Sequence, residues 1–133
     1  MKTLSASSPP HPPQWLVVVS IPYMALWGAV SVGFLAIAIT EARIPQGWTG
    51  WGGAAIFVAG PWVHAYGLWG RSIACSGLSL IPHAALAMVT AVAGIGPPFE
   101  PVNLLLLGWA GLQATLFVSM AWWTHRLFRN FIA

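Results

Sequence analysis

The sequence is poor in charge. Its 133 residues include five lysines and arginines and two acidic residues, so charged side chains make up only 5% of the chain. Soluble domains carry about 25% charged residues, and a water-exposed surface cannot be covered with so few. The composition therefore excludes a soluble globular protein. It also argues against a nucleic-acid-binding protein, because the basic residues do not form the cluster that neutralises phosphates.

Carboxylates and cysteine are scarce as well. Glu41 and Glu100 are the only acidic residues, and Cys75 is the only cysteine. No pair of intramembrane carboxylates is available for acid–base hydrolysis or carboxylate-coupled transport, and no internal disulfide can form. The sequence also lacks a Ser/His/Asp set, an HExxH motif and a phosphate-binding glycine loop. We therefore expect no independent enzymatic activity.

Apolar sequence, in contrast, is abundant: hydrophobic residues make up 58% of the chain. The charges fall between four apolar runs, as membrane spans require, because a charge at the bilayer centre costs about 2.5 to 3.5 kcal/mol. Each run approaches the roughly 20 residues that a helix needs to cross a bilayer. We predict an all-α integral membrane protein with four transmembrane helices in an up-down-up-down antiparallel bundle with short loops. The predicted spans are about 15–40, 52–69, 73–95 and 102–123.

The four spans form one predicted transmembrane domain, 14–126. Residues 1–13 are rich in proline and serine and are expected to be a disordered tail, while 127–133 are expected to be a short basic tail. Prolines interrupt the two middle spans, at Pro61 and Pro82. Proline removes a backbone donor and clashes with the preceding turn, so we expect both middle helices to bend.

The basic residues predict the orientation in the membrane. If both termini are cytoplasmic, four of the five basic residues face inward and only one faces outward, which satisfies the positive-inside rule. The inward set is Lys2, Arg71, Arg126 and Arg129, and the outward set is Arg43 with Glu41 and Glu100. Tryptophans are expected to form interfacial belts, with Trp15, Trp69, Trp122 and Trp123 inside and Trp48 and Trp51 outside. We predict a multi-pass membrane protein with cytoplasmic N and C termini.

The candidate functional residues are two histidines. His64 in the second span and His83 in the third flank the short loop at Arg71, which places them at similar depths on adjacent helices. Neutral imidazole is a common axial ligand of tetrapyrrole metals. His64 and His83 are therefore candidate cofactor-binding residues and axial metal ligands, for haem b or for a chlorophyll-type pigment. Gly60 and Gly67 beside His64 would leave space for a flat macrocycle.

Two alternatives for these histidines stay open. The first is purely structural, because a membrane histidine can donate to a carbonyl that a proline exposes on a neighbouring helix. The second is a proton or ion path. Among other intramembrane polar groups, Asn103, Gln113 and Thr115 are expected to hydrogen-bond across helices, with Gln113 the deepest.

Small residues recur every four positions on two spans. They are Ala25, Ala29 and Gly33 on the first span and Gly111, Thr115 and Ser119 on the fourth. This spacing lets helix backbones approach closely, so both stripes are candidate helix contacts.

These features favour a small polytopic subunit of a larger membrane complex. The energy-converting complexes of respiration or photosynthesis, which perform electron transport, are the leading expectation, with a structural role and a haem or pigment held by His64 and His83. In general character the chain is similar to four-helix haem-b membrane subunits, without a diagnostic motif. The expected partners are the lipid bilayer and other membrane subunits. The alternatives are a homo-oligomeric transporter or channel that associates through the Ala25 stripe, and a membrane assembly factor.

Overall fold

The structure, a computed structural model, describes residues 10–40, 47–96 and 100–132, and this part of the chain is helical without any strand. Most of the predicted N-terminal tail lies outside the described residues. So do three of the charged residues that support the predicted orientation, Lys2, Glu41 and Arg43, as well as the side chain of Trp48.

Three helical stretches of the described part are long and apolar enough to cross a membrane: Gln14–Thr40, Ile73–Ile95 and Pro101–Ile132. The first is helix α1, which closely matches the predicted first span and contains Pro22. For the part of the chain that the structure describes, an all-helical fold compatible with an integral membrane protein is thus confirmed.

The predicted second span, 52–69, is helical but is not one continuous α-helix. It consists of α2 (Gly47–Ala54), a π-helical segment (Ala55–Ala59) and α3 (Gly60–Trp69). Pro61 lies just after the π-helical segment. Because proline has no N–H and its ring crowds the carbonyl four residues earlier, regular α-helical bonding cannot continue through this point. The run 47–69 is not among the three long apolar stretches.

The predicted third span is also divided, into α4 (Ile73–Leu78) and α5 (Leu80–Ile95). The Ser72 hydroxyl caps α4 by accepting a hydrogen bond from the Cys75 N–H at 3.2 Å. The division at Ser79 leaves Pro82 in the first turn of α5, where its missing N–H would have no intrahelical partner in any case. The break that Pro82 predicts is therefore present, but it lies at Ser79, three residues before the proline.

Helix α6 runs from Pro101 to Ile132, nine residues beyond the predicted end at 123. The predicted span ended where the apolar run ends, ahead of His125 and Arg126. A helix, however, can continue past the apolar region, and Leu127 is still buried against the rest of the molecule. The expected C-terminal tail is therefore helical as far as Ile132.

Two turns bring these helices together. At the first, between α3 and α4, Arg71 adopts a left-handed backbone conformation with φ of 55°, and its guanidinium donates to His11 Nδ1 at 2.9 Å. At the second, ahead of α6, Asn103 Nδ2 donates to the carbonyls of Gly94 and Gly96 at 3.1 and 2.9 Å. Asn103 thus ties α6 to the end of α5, which confirms its predicted role across helices.

The buried core has two clusters. The first lies near the Arg71 turn and contains Leu16, Leu68, Met120, Trp123 and Leu127. The second contains Tyr23, Leu86 and Leu116, with Trp27 and Trp109 packed against it. The rings of Trp27 and Trp109 stack on each other, with centroids 5.6 Å apart.

The tryptophans only partly follow the predicted belts. Trp15 and Trp122 contact each other at a centroid distance of 5.6 Å, and Arg126 lies 5.4 Å from the Trp122 ring centroid, as expected for one interfacial end. Trp123 does not belong to this belt: it is fully buried, and its indole N–H donates to the Gly67 carbonyl at 3.2 Å. Adjacent positions on a helix point in different directions, so only one of the two tryptophans can face outward.

The predicted small-residue contacts are wrong for α1 within this chain. Ala25, Ala29 and Gly33 are exposed, and a Cβ atom added at Gly33 would meet nothing within 4 Å. On α6, the Thr115 hydroxyl donates to the Gly111 carbonyl of its own helix at 2.9 Å, so its hydrogen bond in the described structure lies within α6. The close approach occurs instead at Gly67, where an added Cβ would lie 2.6 Å from the Ser76 nitrogen of α4.

Candidate functional site

The two candidate histidines meet in the interior of the molecule. His64 lies on α3, His83 lies on α5, and both side chains are 0% exposed. His64 Nδ1 is 2.9 Å from His83 Nε2, and the two rings are nearly perpendicular, at 89°. The sequence analysis placed them at similar depths on neighbouring helices, and the structure brings them into direct hydrogen-bond contact.

Each histidine also contacts a further helix through its second ring nitrogen. His64 Nε2 is 2.9 Å from the Ser20 hydroxyl on α1, and His83 Nδ1 is 2.7 Å from Gln113 Oε1 on α6. The Ser20 hydroxyl is in turn 2.8 Å from the Leu16 carbonyl. We call the four side chains Ser20, His64, His83 and Gln113, together with the Leu16 carbonyl, the polar chain. It links α1, α3, α5 and α6 by side-chain contacts.

Tyr23 covers one side of the histidine pair. Its ring centroid lies 5.2 Å from that of His64 and 4.6 Å from that of His83. Its hydroxyl points towards α3, since a Cβ added at Gly60 would lie 3.1 Å from it. The Tyr23 hydroxyl and Gln113 Nε2 are buried and make no hydrogen bond to the described part of the chain. Unpaired buried donors are rare and costly. Two polar groups beside the histidine pair therefore lack a hydrogen bond that they could make.

No charged group of the described residues takes part in the polar chain. Its ionisable members are the two imidazoles, with Tyr23 beside them. Arg71 is seven residues from His64 and Glu100 is thirteen residues from Gln113, which correspond to about 10 and 20 Å along a helix. Among the described residues, the hydrogen-bond partners of the pair are therefore uncharged.

The donor set does not fit a tetrapyrrole in this arrangement. The direct hydrogen bond of 2.9 Å leaves no room for a macrocycle between the facing nitrogens, and the other two ring nitrogens contact Ser20 and Gln113. Ligation needs a free imidazole lone pair. Nor do the described residues contain a group of three or more His, Cys, Asp or Glu that could hold a metal ion. Ligation of haem or a pigment by His64 and His83 remains a prediction.

The sequence analysis found part of this site. It identified both histidines, and its expectation that Gln113 bonds across helices is confirmed. It missed Ser20 and Tyr23. A signal was present, because Ser20, Tyr23, Trp27 and Ser31 follow the three- and four-residue spacing of one helix face. In an otherwise apolar span, such a line of polar and aromatic residues indicates the face that points inward.

A groove lies on the outer surface between α1 and α3. It has a volume of about 560 Å³ and an almost entirely apolar lining that includes Gly28, Ala29, Gly33 and Trp62. It runs along the small-residue stripe of α1 and is separate from the buried histidines.

Comparisons with protein-family models, with characterised proteins and with solved structures find no significant match for this chain.

Proposed function

We propose that this chain is a four-span membrane protein with up-down-up-down helices, and that it acts as a small non-catalytic subunit of a larger, energy-converting membrane complex. The observation that carries the proposal is the buried histidine pair at the centre of the polar chain. Ionisable groups inside a membrane protein are costly, and they mark ion or proton pathways by default. A charge-moving assembly is the setting in which such a pair has a use.

The enclosed interior favours a structural role over a catalytic one. Both histidines are 0% exposed and are enclosed by α1, α3, α5 and α6, so a substrate in water or lipid does not reach them. Catalysis needs a site that a reactant can enter. The remaining contribution of this chain is to hold the pair in a fixed place for the complex around it.

The proposed topology follows the positive-inside rule. Arg71 at the α3–α4 turn, together with Arg126 and Arg129 near the end of α6, would lie in the cytoplasm. Contacts between Trp15 and Trp122 and between Arg71 and His11 support the grouping of these termini at one end. Both chain termini then face the cytoplasm, and the helical run 47–69 supplies the remaining crossing.

Purification from native membranes in a gentle detergent tests the proposal. We expect the chain to co-purify with other membrane subunits in stoichiometric amounts. Recovery as a pure monomer, under conditions that keep known complexes of the same membrane intact, would contradict it.

An absorption spectrum of the chain expressed and purified on its own tests the cofactor alternative. We expect the isolated chain to lack a Soret or long-wavelength band, because the imidazole nitrogens are occupied by protein contacts. A band that His64→Ala or His83→Ala abolishes would establish ligation by that histidine and overturn the hydrogen-bonded arrangement.

A second candidate function is a self-associating transporter or channel. The exposed stripe Ala25, Ala29 and Gly33 along the α1–α3 groove favours it, because small residues permit close helix contacts between copies. Cysteine cross-linking at Ala29 in native membranes, followed by flux assays in proteoliposomes, tests this candidate. Cross-linked dimers with ion flux would favour the transporter over the subunit.

A further inference from the structure

The polar chain has fewer hydrogens than contacts. Its contacts are Leu16 O to Ser20 Oγ, Ser20 Oγ to His64 Nε2, His64 Nδ1 to His83 Nε2, and His83 Nδ1 to Gln113 Oε1. Each contact needs one hydrogen, and the carbonyl oxygens at both ends can only accept. A serine hydroxyl and two neutral imidazoles supply one hydrogen each. With neutral histidines, one of the four contacts therefore has no hydrogen.

Two neutral arrangements avoid this conflict: the first gives up the bond to Leu16, and the second turns the Gln113 amide over. In the first, the Ser20 hydrogen turns from the Leu16 carbonyl to His64 Nε2, and every hydrogen in the chain points towards Gln113. In the second, the Gln113 amide turns over so that Nε2 donates to His83 Nδ1, and every hydrogen points towards Leu16. In the second arrangement, Gln113 Oε1 takes the buried position that Nε2 otherwise occupies. The described structure offers no hydrogen-bond partner at this position.

One additional proton satisfies all four contacts without moving a heavy atom. His83 Nδ1–H donates to Gln113 Oε1, His83 Nε2–H donates to His64 Nδ1, His64 Nε2–H donates to Ser20, and Ser20 donates to Leu16. The added proton makes the pair an imidazole–imidazolium cation. Its charge is shared across the 2.9 Å contact between the rings, and hydrogen bonds from a charged donor are the stronger kind.

The groups around the pair determine how firmly that proton is held. The neighbours from α1 are Ser20 and Tyr23, and the neighbour from α6 is Gln113, all of them uncharged. On α3 and α5, the ionisable side chains that contact the pair are the histidines themselves. His83 lies in the first turn of α5, whose dipole disfavours positive charge. With no carboxylate to fix it, the proton is held loosely enough to be released.

We propose that Ser20, His64, His83 and Gln113 form a binding site for one proton, with the Ser20 hydroxyl and the Gln113 amide as the two groups that reorient when the proton enters or leaves. The pair takes one proton from the medium and becomes a singly charged cation, and release restores the neutral pair. The two neutral arrangements differ in the direction of their hydrogens and in the orientation of the Gln113 amide, so proton uptake from one arrangement and release to the other reverses the hydrogens along the polar chain. The inference rests on the proposed membrane setting but needs no partner subunit.

Nitrogen NMR of the full chain in lipid nanodiscs tests this site. The protein carries ¹⁵N-labelled histidine. The substitutions His11→Gln and His125→Gln remove the two exposed histidines, so that all ring signals come from His64 and His83. Ring signals are followed from about pH 9 to about pH 4, which brackets the ordinary imidazole range. We expect one proton per chain, taken up in one step that changes the signals of both rings together.

Two results would overturn the proposal. One is a pair that takes up no proton across this range while the protein stays folded. The other is two separate steps that load a proton on each ring independently. Neither result bears on whether the chain belongs to a larger complex, and purification as a monomer would leave the proton count unchanged.

Substitution of Gln113 separates proton binding from packing. Gln113→Glu places a carboxylate beside His83, and we expect proton uptake to move to higher pH by about one to two units. Gln113→Leu removes the acceptor, and we expect a shift of similar size to lower pH. Thr115→Val, on the exposed side of the same helix, is the matched control and should change nothing. If both Gln113 variants fold and neither shifts the pH of proton uptake, Gln113 is not part of the proton-binding site.

Discussion

The two halves of the molecule are built differently. Near the Arg71 turn, the side chains of Leu16, Ser20 and Tyr23 on α1 are buried against other helices, and Trp123 fills the centre of the first cluster. In the second half of α1, only Ser31 is buried among the side chains that the structure describes, and none of those described in segment 47–59 is buried. We call these regions the packed half and the open half.

The comparison shows where the stability of the chain comes from. Lipid tails are as apolar as leucine, so helices in a membrane associate through close packing and hydrogen bonds and gain little from the hydrophobic effect. The packed half has close packing, where Gly67 approaches the backbone of Ser76. It also has hydrogen bonds, from the Trp123 indole to Gly67 and along the polar chain. In the open half, the side-chain hydrogen bond described between α1 and segment 47–59 is the one from Ser31 to the Val58 carbonyl, at 3.0 Å. Its exposed surface is therefore available for lipid or for a partner.

The largest effect is expected from Trp123→Ala. The substitution removes the largest fully buried side chain and its bond to Gly67, and we expect a loss of about 3 to 5 kcal/mol in the free energy of unfolding. Trp62→Ala is the control, since that side chain is 57% exposed, and its effect should stay within about 0.5 kcal/mol. Unfolding by SDS in mixed micelles measures both. Equal losses for the two variants would mean that the packed half is not the stable part.

Gly67→Ala should have the next largest effect. An added Cβ would lie 2.6 and 2.7 Å from backbone atoms of Ser76, which cannot move aside as a flexible side chain could. We expect a loss of about 1 to 3 kcal/mol. Gly33→Ala in the open half meets nothing within 4 Å and should be neutral, or stabilising by up to about 1 kcal/mol. The same unfolding assay checks the pair of variants, and a destabilised Gly33→Ala protein would show that something covers this surface.

The same contrast separates what the sequence could predict from what it could not. Hydropathy and charge placement predicted helices at nearly all the right positions, because burial in lipid is a one-dimensional property of the chain. The interruption of the second span was signalled by Pro61, although not its π-helical form. The predicted stripe on α1 makes no helix contact within the described part of this chain. Small residues permit a close approach without requiring one, and the partner surface depends on the three-dimensional arrangement.

The candidate site could likewise be predicted from the sequence only in part. His64, His83 and Gln113 stand out because a polar residue within an apolar run needs a partner. Which nitrogen faces which atom depends on ring orientations that spacing does not determine. Ser20 was missed because a serine in a membrane helix can bond to its own backbone, as this one also does to Leu16.

The smallest effect is expected from Ser31→Ala, which removes the bond between the open half of α1 and the π-helical segment. Hydrogen bonds between membrane helices are worth about 0.6 kcal/mol on average, so global unfolding should change by less than about 1 kcal/mol. Local opening should change more, because this side-chain bond joins α1 directly to segment 55–59. Amide hydrogen exchange in nanodiscs should therefore become faster in segment 47–59 and stay unchanged around His64. Thr115→Ala, which removes a bond within a single helix, should leave both regions unchanged. If Ser31→Ala instead speeds exchange at His64 as well, the two halves unfold as one unit and the open half is more tightly coupled to the polar chain than its exposure suggests.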